Sequence, residues 1–302
     1  MRRVDLHIHT TASDGSLRPK EVVNYAKEKG LAAVAITDHD TTRGVREALE
    51  EGRRIGLEVV EGVELSVDFS GGTMHLLGYF IDPENEELNE RLRVVQRARA
   101  ERNERMVKRL NELGIRVSLE EVRALASDGQ VCRPHFAQLL VKKGYVRDVD
   151  EAFERFLRKG GPAYVEKFRF PPSEAIEFIR RAGGIAVLAH PFTLNLDEES
   201  LERLVRELKD AGLEGIEVFY PDHTPEQMAL YRDLARRYDL VITGGTDYHG
   251  KVREGVDIGV GYGDMNLPYS ILEGMKERRE RNRALGRRPF GSASGDYRVP
   301  TR

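Results

Sequence analysis

The sequence predicts an α/β fold in which a parallel sheet closes into a barrel. Short apolar runs alternate with amphipathic helical stretches in the first third of the chain and again after residue 170, and repeated strand–helix units favour a parallel sheet. So many units within 302 residues favour a barrel over an open sheet. Residues 84–159 show only helical signals, which predicts a helical insertion into that barrel over residues 84–165.

The first third of the chain supplies the clearest strands. Residues 4–9 alternate, with Val4, Leu6 and Ile8 on one face of a strand and polar side chains on the other. Pro19 is a favourable first helical residue, and Gly30 is a natural stop for the helix that follows. In order, we predict a strand over 4–9, a helix over 19–30, a strand over 31–37, a helix over 42–55, and strands over 57–65 and 74–80.

Strand–helix alternation resumes after the insertion. We predict a helix over 172–182, a strand over 185–190, a helix over 198–211, a strand over 215–219, a helix over 225–238 and a strand over 240–246. This pattern divides the chain into a barrel (1–83 and 166–285), an inserted helical domain that binds substrate (84–165) and a flexible tail (286–302).

The composition is that of a globular protein with a large core. The chain has 48 Lys and Arg against 51 Asp and Glu, a formal net charge of −3, and 40% apolar residues. This balance argues against a general basic surface for nucleic acid. One cysteine, Cys132, excludes an internal disulfide and a cysteine-built metal site. No run is apolar enough for a membrane span or signal peptide, so we expect a cytoplasmic protein without a membrane or an obligate protein partner.

Histidines cluster where the predicted strands end. Six of the eight histidines lie at or near these ends, and three carboxylates join them. In a parallel barrel, the carboxyl ends of the strands converge on one mouth. The position of His75 is the least regular, because its strand starts there. The candidate residues are His7, His9, Asp14, His39, Glu64, His75, His190, Asp247 and His249.

Imidazoles and carboxylates gathered without thiolates suit a site for several Mn, Fe or Zn ions. Clustered metals lower the pKa of a bound water and so generate a metal-bound hydroxide nucleophile, which suits the hydrolysis of phosphate esters. Each motif alone has an ordinary explanation: His7 and His9 can be two residues of a plain strand, and Asp38 to Asp40 can be a turn. The shared placement of six histidines favours the metal site.

These residues resemble the PHP (polymerase and histidinol phosphatase) domain family over about residues 3 to 270. Family members are distorted (β/α)7 barrels that carry up to three metals. The order of all the motifs is kept, which makes the resemblance specific. The motifs are His7-Ile8-His9, Thr37-Asp38-His39-Asp40, Gly62-Val63-Glu64, His75 before Leu77-Gly78, Ala189-His190-Pro191 and Thr246-Asp247-Tyr248-His249.

The resemblance implies a set of ligands for each metal. It places His7, His9, Glu64 and Asp247 on the first metal, and Glu64, His75 and His190 on the second. It places Asp14, His39 and His249 on the third. Some family members have histidine where this chain has Asp14, and a carboxylate there makes the site harder and favours Mn or Fe over Zn. We expect two or three divalent ions, with Mn favoured.

Within the family, the chain resembles the TrpH-like subgroup of nucleoside 3′,5′-bisphosphate phosphatases and 5′→3′ exoribonucleases. The resemblance rests on residues 11–16, on the helical insertion with Arg133-Pro134-His135, and on residues 220–223. It implies a metal-dependent phosphoesterase that removes the 3′-phosphate of a nucleoside 3′,5′-bisphosphate. It also implies action on short 5′-phosphorylated RNA from the 5′ end. The alternatives are a phosphatase for another small metabolite, such as histidinol phosphate, and a non-catalytic metal-binding RNA module.

Three residues are candidates for substrate binding. Pro134 marks a helix start, where Arg133, His135 and free backbone N–H groups would form a cradle for the 5′-phosphate. The alternative is a plain helix start with an exposed arginine. His223 is a candidate phosphate ligand or proton donor to the leaving group, with a surface histidine as the alternative. The basic runs at 91–109 and 276–288 are candidate RNA contacts, although such runs are more often solvated helix faces.

Overall fold

The computed structural model describes residues 2–126 and 129–285, so the predicted tail lies outside the described residues. No helix in these two ranges is both long and apolar enough to cross a membrane. The strands are β1 (Arg3–Asp5), β2 (Leu31–Ile36), β3 (Glu58–Val67), β4 (Met74–Tyr79), β5 (Ile185–Leu188), β6 (Gly215–Phe219) and β7 (Val241–Gly244). The α-helices are α1 (Pro19–Glu28), α2 (Arg43–Ile55), α3 (Glu86–Glu112), α4 (Leu119–Ala126), α5 (Arg133–Lys142), α6 (Val149–Ala152), α7 (Pro172–Arg181), α8 (Glu198–Asp210), α9 (Pro225–Arg237) and α10 (Ser270–Ala284).

The strands follow one another around the sheet in the order β1 to β7. Strands β1 to β3 are mutually parallel, as are β5 to β7, whereas β4 is antiparallel to both of its neighbours. The prediction of a parallel sheet is therefore wrong at β4. The physical reason is the short connection over residues 68–73, which turns the chain straight back beside β3 and leaves no room for the crossover that a parallel pair needs.

The first and last strands meet and close the barrel. The Leu6 backbone N–H donates to the Gly244 carbonyl at 3.3 Å, and Ile8 forms a parallel bridge with Tyr248. This confirms the predicted α/β barrel. The closure also brings the residues that follow β1 against those that follow β7, so two of the predicted histidine motifs become neighbours.

The barrel is filled and covered by apolar side chains. Its interior holds Val4, Leu6, Tyr79 and Val187, all fully or almost fully buried. Outside the sheet, α1, α2 and the helices after β5 and β6 each bury one apolar face against the strands. This packing fixes the strand ends, and it is these ends that carry the polar cluster.

The helical region between β4 and α7 has an apolar cluster of its own. Its members lie between Met106 and Val165 and include Leu110, Phe136 and Leu140. The long helix α3 leads from the barrel into this cluster. Its N-cap is Asn85, whose side chain accepts a hydrogen bond from the Leu88 N–H. The domain boundaries at 84 and 165 stay a prediction.

Candidate metal centre

All nine predicted ligands lie at one end of the barrel. His7, His9 and Asp14 follow β1, His39 follows β2, and His190 follows β5, while Asp247 and His249 follow β7. Glu64 lies within β3 near its carboxyl end. His75 lies at the start of β4 and reaches the same end because β4 runs antiparallel and pairs His75 with Ser66 of β3. The irregular position of His75 in the sequence thus has a topological cause.

Glu64 lies at the centre of the cluster. One carboxylate oxygen, Oε2, lies 3.3 Å from His7 Nε2, 3.1 Å from His9 Nε2 and 3.0 Å from His39 Nδ1. The other oxygen, Oε1, lies 2.8 Å from His75 Nδ1 and 2.9 Å from His190 Nε2. A carboxylate whose two oxygens face two sets of imidazoles is placed to bridge two cations.

Asp247 completes the first of these sets. Its Oδ1 lies 3.3 Å from His7 Nε2 and 3.0 Å from His9 Nε2. One ligand atom from each of His7, His9, Glu64 and Asp247 lies within 4.8 Å of the others. The structure thus brings together the four residues that the resemblance assigns to the first metal.

The residues that the resemblance assigns to the other two metals form groups that overlap with neighbouring groups. Asp14 Oδ1 lies 3.4 Å from His249 Nε2, and Asp14, His39 and His249 group with His9. The third compact group is Glu64 and His75 with His39. His190 joins it from the side, since its Nε2 lies 3.3 Å from His75 Nδ1. His9 and His39 therefore each belong to two of these groups.

Buried polar atoms without a well-aligned hydrogen bond face the centre of the cluster. Within the described part of the chain, His7 Nε2, His9 Nε2, Asp14 Oδ1, His39 Nδ1 and Glu64 Oε2 are buried and form no well-aligned hydrogen bond. The three imidazole nitrogens nevertheless lie 3.0–3.3 Å from Glu64 Oε2. Leaving such groups unsatisfied costs about 1–3 kcal/mol each. Converging lone pairs of imidazoles and carboxylates fit divalent cations, and the donor set of nitrogen and oxygen without sulfur suits Mn, Fe or Zn.

Hydrogen bonds behind the cluster orient two imidazoles. His7 Nδ1–H donates to Glu217 Oε1 at 2.9 Å, and His249 Nδ1–H donates to the Asp247 carbonyl at 2.8 Å. In both rings this leaves the Nε2 lone pair to face the cluster. Glu217 was missed by the sequence analysis, although a carboxylate in the buried strand β6 is the kind of signal that could have revealed it.

Burial and neighbouring charges shift the pKa values of the clustered carboxylates and imidazoles. Burial opposes ionisation of Glu64, but His39, His75 and His7 hold its pKa well below the usual value. Burial also opposes protonation of His9, yet the adjacent carboxylates of Asp247 and Glu64 raise its pKa to about 10. His39 behaves in the opposite way, because burial lowers its pKa to about 3. Carboxylates that hold a proton on a buried imidazole are the groups that a metal cation would neutralise.

Strained backbone marks the same end of the barrel. His190, Asp247 and Asp40 have φ values of 25°, 51° and 51°, in the left-handed region that non-glycine residues rarely adopt. Such conformations cost on the order of 1–3 kcal/mol each and persist where the surrounding structure enforces them. Two of the three are predicted ligands, and the third follows His39 directly.

A pocket opens beside the cluster and is lined by candidate ligands and by basic side chains. The ligands in its lining are Asp14, His39, His75 and His249. Its basic wall consists of Arg99 and Arg102 from α3, Arg133 from the start of α5, and Lys167 and Arg169 from the segment before α7. The pocket therefore places candidate metal ligands and cationic side chains within one space.

Asp40 neutralises part of this basic wall. Its carboxylate pairs with Arg99 and lies 3.4 Å from Lys167 Nζ. Arg169 pairs with Glu166 at 3.0 Å. Arg102 is only 3% exposed, and in residues 2–126 and 129–285 its Nη2 finds no hydrogen-bond partner. A buried guanidinium with an unmatched N–H group is suited to an anion.

The three predicted substrate-binding residues have different positions. Arg133 lines the pocket and donates to the Leu157 carbonyl at 3.2 Å. His135 is 3% exposed and is not among the residues that line the pocket. Its Nδ1 accepts a hydrogen bond from the Cys132 N–H at the start of α5. Its predicted phosphate contact is not supported by this position.

His223 is buried rather than on the surface. Its Nδ1–H donates to the Val218 carbonyl at 2.9 Å, and its Nε2 is buried without a partner in the described ranges. Burial lowers the pKa of His223, so the neutral ring offers Nε2 as an acceptor. This arrangement favours a hydrogen-bond acceptor over the predicted proton donor.

The barrel and the converging side chains define a class of α/β-barrel proteins built to hold metal ions. Residues 5–169 match the model of the PHP domain. The chain is 35% identical to the 3′,5′-nucleoside bisphosphate phosphatase of Chromobacterium violaceum, over 86% of this chain and 91% of the relative. It is 36% identical to the 5′-3′ exoribonuclease Rnm of Escherichia coli, over 81% of this chain and 84% of the relative.

A solved structure agrees with these similarities. A protein of Bifidobacterium adolescentis, assigned as a metal-dependent phosphoesterase, superposes with a TM-score of 0.83 at 31% identity, over 92% of this chain and 96% of the other. The chain belongs to the PHP domain family.

Proposed function

We propose that this chain is a metal-dependent phosphoesterase that removes the 3′-phosphate of nucleoside 3′,5′-bisphosphates. The observation that carries the proposal is the pocket whose lining combines candidate metal ligands with cationic side chains. A substrate with two phosphates on one nucleoside needs both kinds of site at a fixed separation. The names of the relatives, a nucleoside bisphosphate phosphatase and an exoribonuclease, support the same substrate class.

The nine clustered residues would hold two or three divalent ions. Such ions, when bound, lower the pKa of water and neutralise charge that develops on phosphoryl oxygens. The residues of the chain supply the orientation: Glu217 and the Asp247 carbonyl fix the His7 and His249 rings. Glu64, whose two oxygens lie next to His9 and His75, would be a ligand shared between ions. Mn is the favoured metal because the set includes three carboxylates and no thiolate.

The guanidinium groups would bind the 5′-phosphate. Arg102 has an unmatched N–H group, and Arg133 lies on the same wall. Arg169 contributes a further charge next to them. Guanidinium binds phosphate in a planar, two-pronged geometry that fixes orientation as well as charge. This cradle replaces the predicted pair of Arg133 and His135, since His135 is used within its own helix.

The same arrangement accounts for action on RNA. A short RNA with a 5′-phosphate presents that group to the cradle and its first 3′-phosphodiester to the metal ligands. Cleavage there releases a nucleoside 5′-monophosphate, and the shortened chain again carries a 5′-phosphate. The helical region over 84–165 would act as the substrate-binding domain, because it supplies Arg99, Arg102 and Arg133 to the pocket.

The proposal is tested with adenosine 3′,5′-bisphosphate and histidinol phosphate as paired substrates. We expect AMP and phosphate from the first compound with added Mn²⁺, no release after chelation, and little turnover of the second. Hydrolysis of histidinol phosphate alone would support the other metabolite phosphatase and contradict the nucleotide assignment. RNA binding without turnover of any phosphate ester would leave only a non-catalytic RNA module.

A further inference from the structure

Lys167 lies in the same pocket as several candidate metal ligands. It lies in the extended segment before α7, which is tied to the barrel by the Phe170–Val67 bridge and by the Asp68 N–H, which donates to the Phe170 carbonyl at 2.8 Å. Its side chain is 4% exposed and lines the same pocket as His39 and His75. The side chain therefore lies in the pocket that also contains candidate metal ligands.

Lys167 is weakly paired for a buried cation. Its Nζ lies 3.4 Å from Asp40 Oδ2, at the outer limit of a hydrogen bond. The same carboxylate pairs with Arg99 and accepts from the Ser66 backbone N–H at 2.9 Å and the Ser66 hydroxyl at 3.1 Å. Asp40 thus divides its charge among several donors, and Lys167 keeps N–H groups that can face a ligand.

The other cations of this wall are guanidinium groups, which do not release a proton in proteins. The charged groups that face Lys167 are Asp40, Arg99, Arg102 and Arg169. Burial lowers the pKa of Lys167, and the positive charge of the three arginines lowers it further. The negative charge of Asp40 opposes both effects, and the resulting pKa is about 7. An ammonium group of this kind can give up a proton near neutral pH, where proton transfer in catalysis is most effective.

We propose that Lys167 donates the proton to the leaving oxygen when the phosphate ester is hydrolysed, an inference that rests on the proposed phosphoesterase function. A water oxygen forms a new bond to phosphorus as the bond from phosphorus to the leaving oxygen breaks. The electron pair of the broken bond stays on that oxygen, which takes the proton from Nζ. The attacking water releases one proton to solvent, and the neutral amine takes one proton back from solvent, so the protons balance. The products are an alcohol and inorganic phosphate.

Replacing Lys167 with arginine separates proton donation from charge. Lys167→Arg keeps the positive charge but removes the transferable proton. A nucleoside hydroxyl is a poor leaving group and needs that proton, whereas 4-nitrophenolate leaves without it. We expect kcat on adenosine 3′,5′-bisphosphate to fall by about 100-fold or more, with KM and the kcat on 4-nitrophenyl phosphate changed less than about threefold. Lys143→Arg, whose lysine pairs with Glu121 outside the pocket, should change neither.

Other results would overturn the proposal. Equal losses on both substrates, or wild-type turnover of the bisphosphate by Lys167→Arg, would leave Lys167 as an anchor for charge only. Lys167→Met, which keeps the length of the side chain without charge, should lose the bisphosphate reaction as well. Thermal unfolding of each variant separates these losses from misfolding.

The pKa itself can be measured on the metal-free protein. With ¹⁵N-labelled lysine, the Nζ of Lys167 should titrate near neutral pH, and a group that stays charged to pH 10 would contradict the donor role. If the bisphosphate is not a substrate, the nucleotide assignment fails separately. Phenyl phosphate and 4-nitrophenyl phosphate then provide the poor and the good leaving group for the same comparison.

Discussion

Glu217 holds two candidate ligands from behind the cluster. One carboxylate oxygen accepts from His7 Nδ1–H at 2.9 Å, and the other accepts from the His190 backbone N–H at 2.7 Å. His190 is also the residue with φ near 25°, so the second contact stabilises an unfavourable backbone conformation. The fully buried Glu217 thus fixes the tautomer of the His7 imidazole and the backbone position of His190.

We predict that Glu217→Gln weakens metal binding. The amide N–H₂ group cannot accept a hydrogen bond, so one of its two contacts is lost and the His7 or His190 geometry relaxes. Changes behind metal ligands typically cost 10–100-fold in affinity, and we expect a loss of about this size for Mn²⁺. Isothermal titration of the metal-free protein measures it, with the exposed Glu207→Gln as the matched control. Unchanged affinity would show that Glu217 has no part in positioning the ligands.

Arg102 tests the 5′-phosphate cradle. Arg102→Met keeps much of the apolar stem but removes the guanidinium that has an unmatched N–H group in the described structure. We expect KM for adenosine 3′,5′-bisphosphate to rise at least about tenfold, which corresponds to about 1.4 kcal/mol, while 4-nitrophenyl phosphate kinetics stay near wild type. Equal effects on the two substrates would place Arg102 in the general structure of the pocket instead.

The sequence indicated where the metal ligands lie better than where the cations lie. Histidines are few, so their coincidence with strand ends was informative. The basic run at 91–109 mixes buried and exposed arginines that look alike in sequence. The apolar stripe of α3 runs through Leu92 and Val95 and continues with Met106, and Arg99 and Arg102 occupy the buried positions between them. Helical spacing could therefore have distinguished these two arginines from their exposed neighbours.

At the scale of elements, the direction of β4 is the main difference between the predicted and the observed sheet. The sequence predicted a strand over 74–80 correctly, but a buried strand has the same apolar pattern in a parallel or an antiparallel sheet. Only the short connection from β3 signals a return without a crossover. The reversal has a functional consequence, because it brings His75 from the start of a strand to the end of the barrel where the other ligands follow strand ends.

The junction of β1 and β7 depends on glycine at position 245. A Cβ at Gly245 would lie 2.3 Å from the His7 backbone nitrogen and 2.4 Å from the His7 Cβ. This close approach is what allows the ends of the two strands to share one cluster. A side chain there must displace His7 or the backbone that leads to Asp247.

We therefore predict that Gly245→Ala destabilises the fold by about 1–3 kcal/mol, as overpacked sites do, and also weakens Mn²⁺ binding. Chemical denaturation and metal titration measure the two effects. Gly274→Ala is the matched control, since a Cβ at this position of α10 meets no described atom within 4 Å and alanine favours a helix. Wild-type metal binding by Gly245→Ala would contradict the role given to this junction.

At the scale of the whole molecule, opposite charges of the site come from different regions of the chain. The candidate metal ligands come from the barrel, whereas three of the cations come from α3 and α5 in the helical region. The near-neutral net charge of −3 conceals this separation. An anionic substrate between the two regions would contact both, which is why we expect substrate recognition and chemistry to be separable by mutation.

The central claim is that one pocket binds the 5′-phosphate while its metal ligands direct hydrolysis of the 3′-phosphate. The most direct measurement is phosphate release from adenosine 3′,5′-bisphosphate and from adenosine 3′-phosphate, at equal Mn²⁺ and after chelation. We predict that release requires the metal for both, and that kcat/KM is at least about 100-fold higher for the bisphosphate, as expected when about 2.7 kcal/mol of binding comes from the second phosphate. Equal kcat/KM values for the two compounds would contradict the claim.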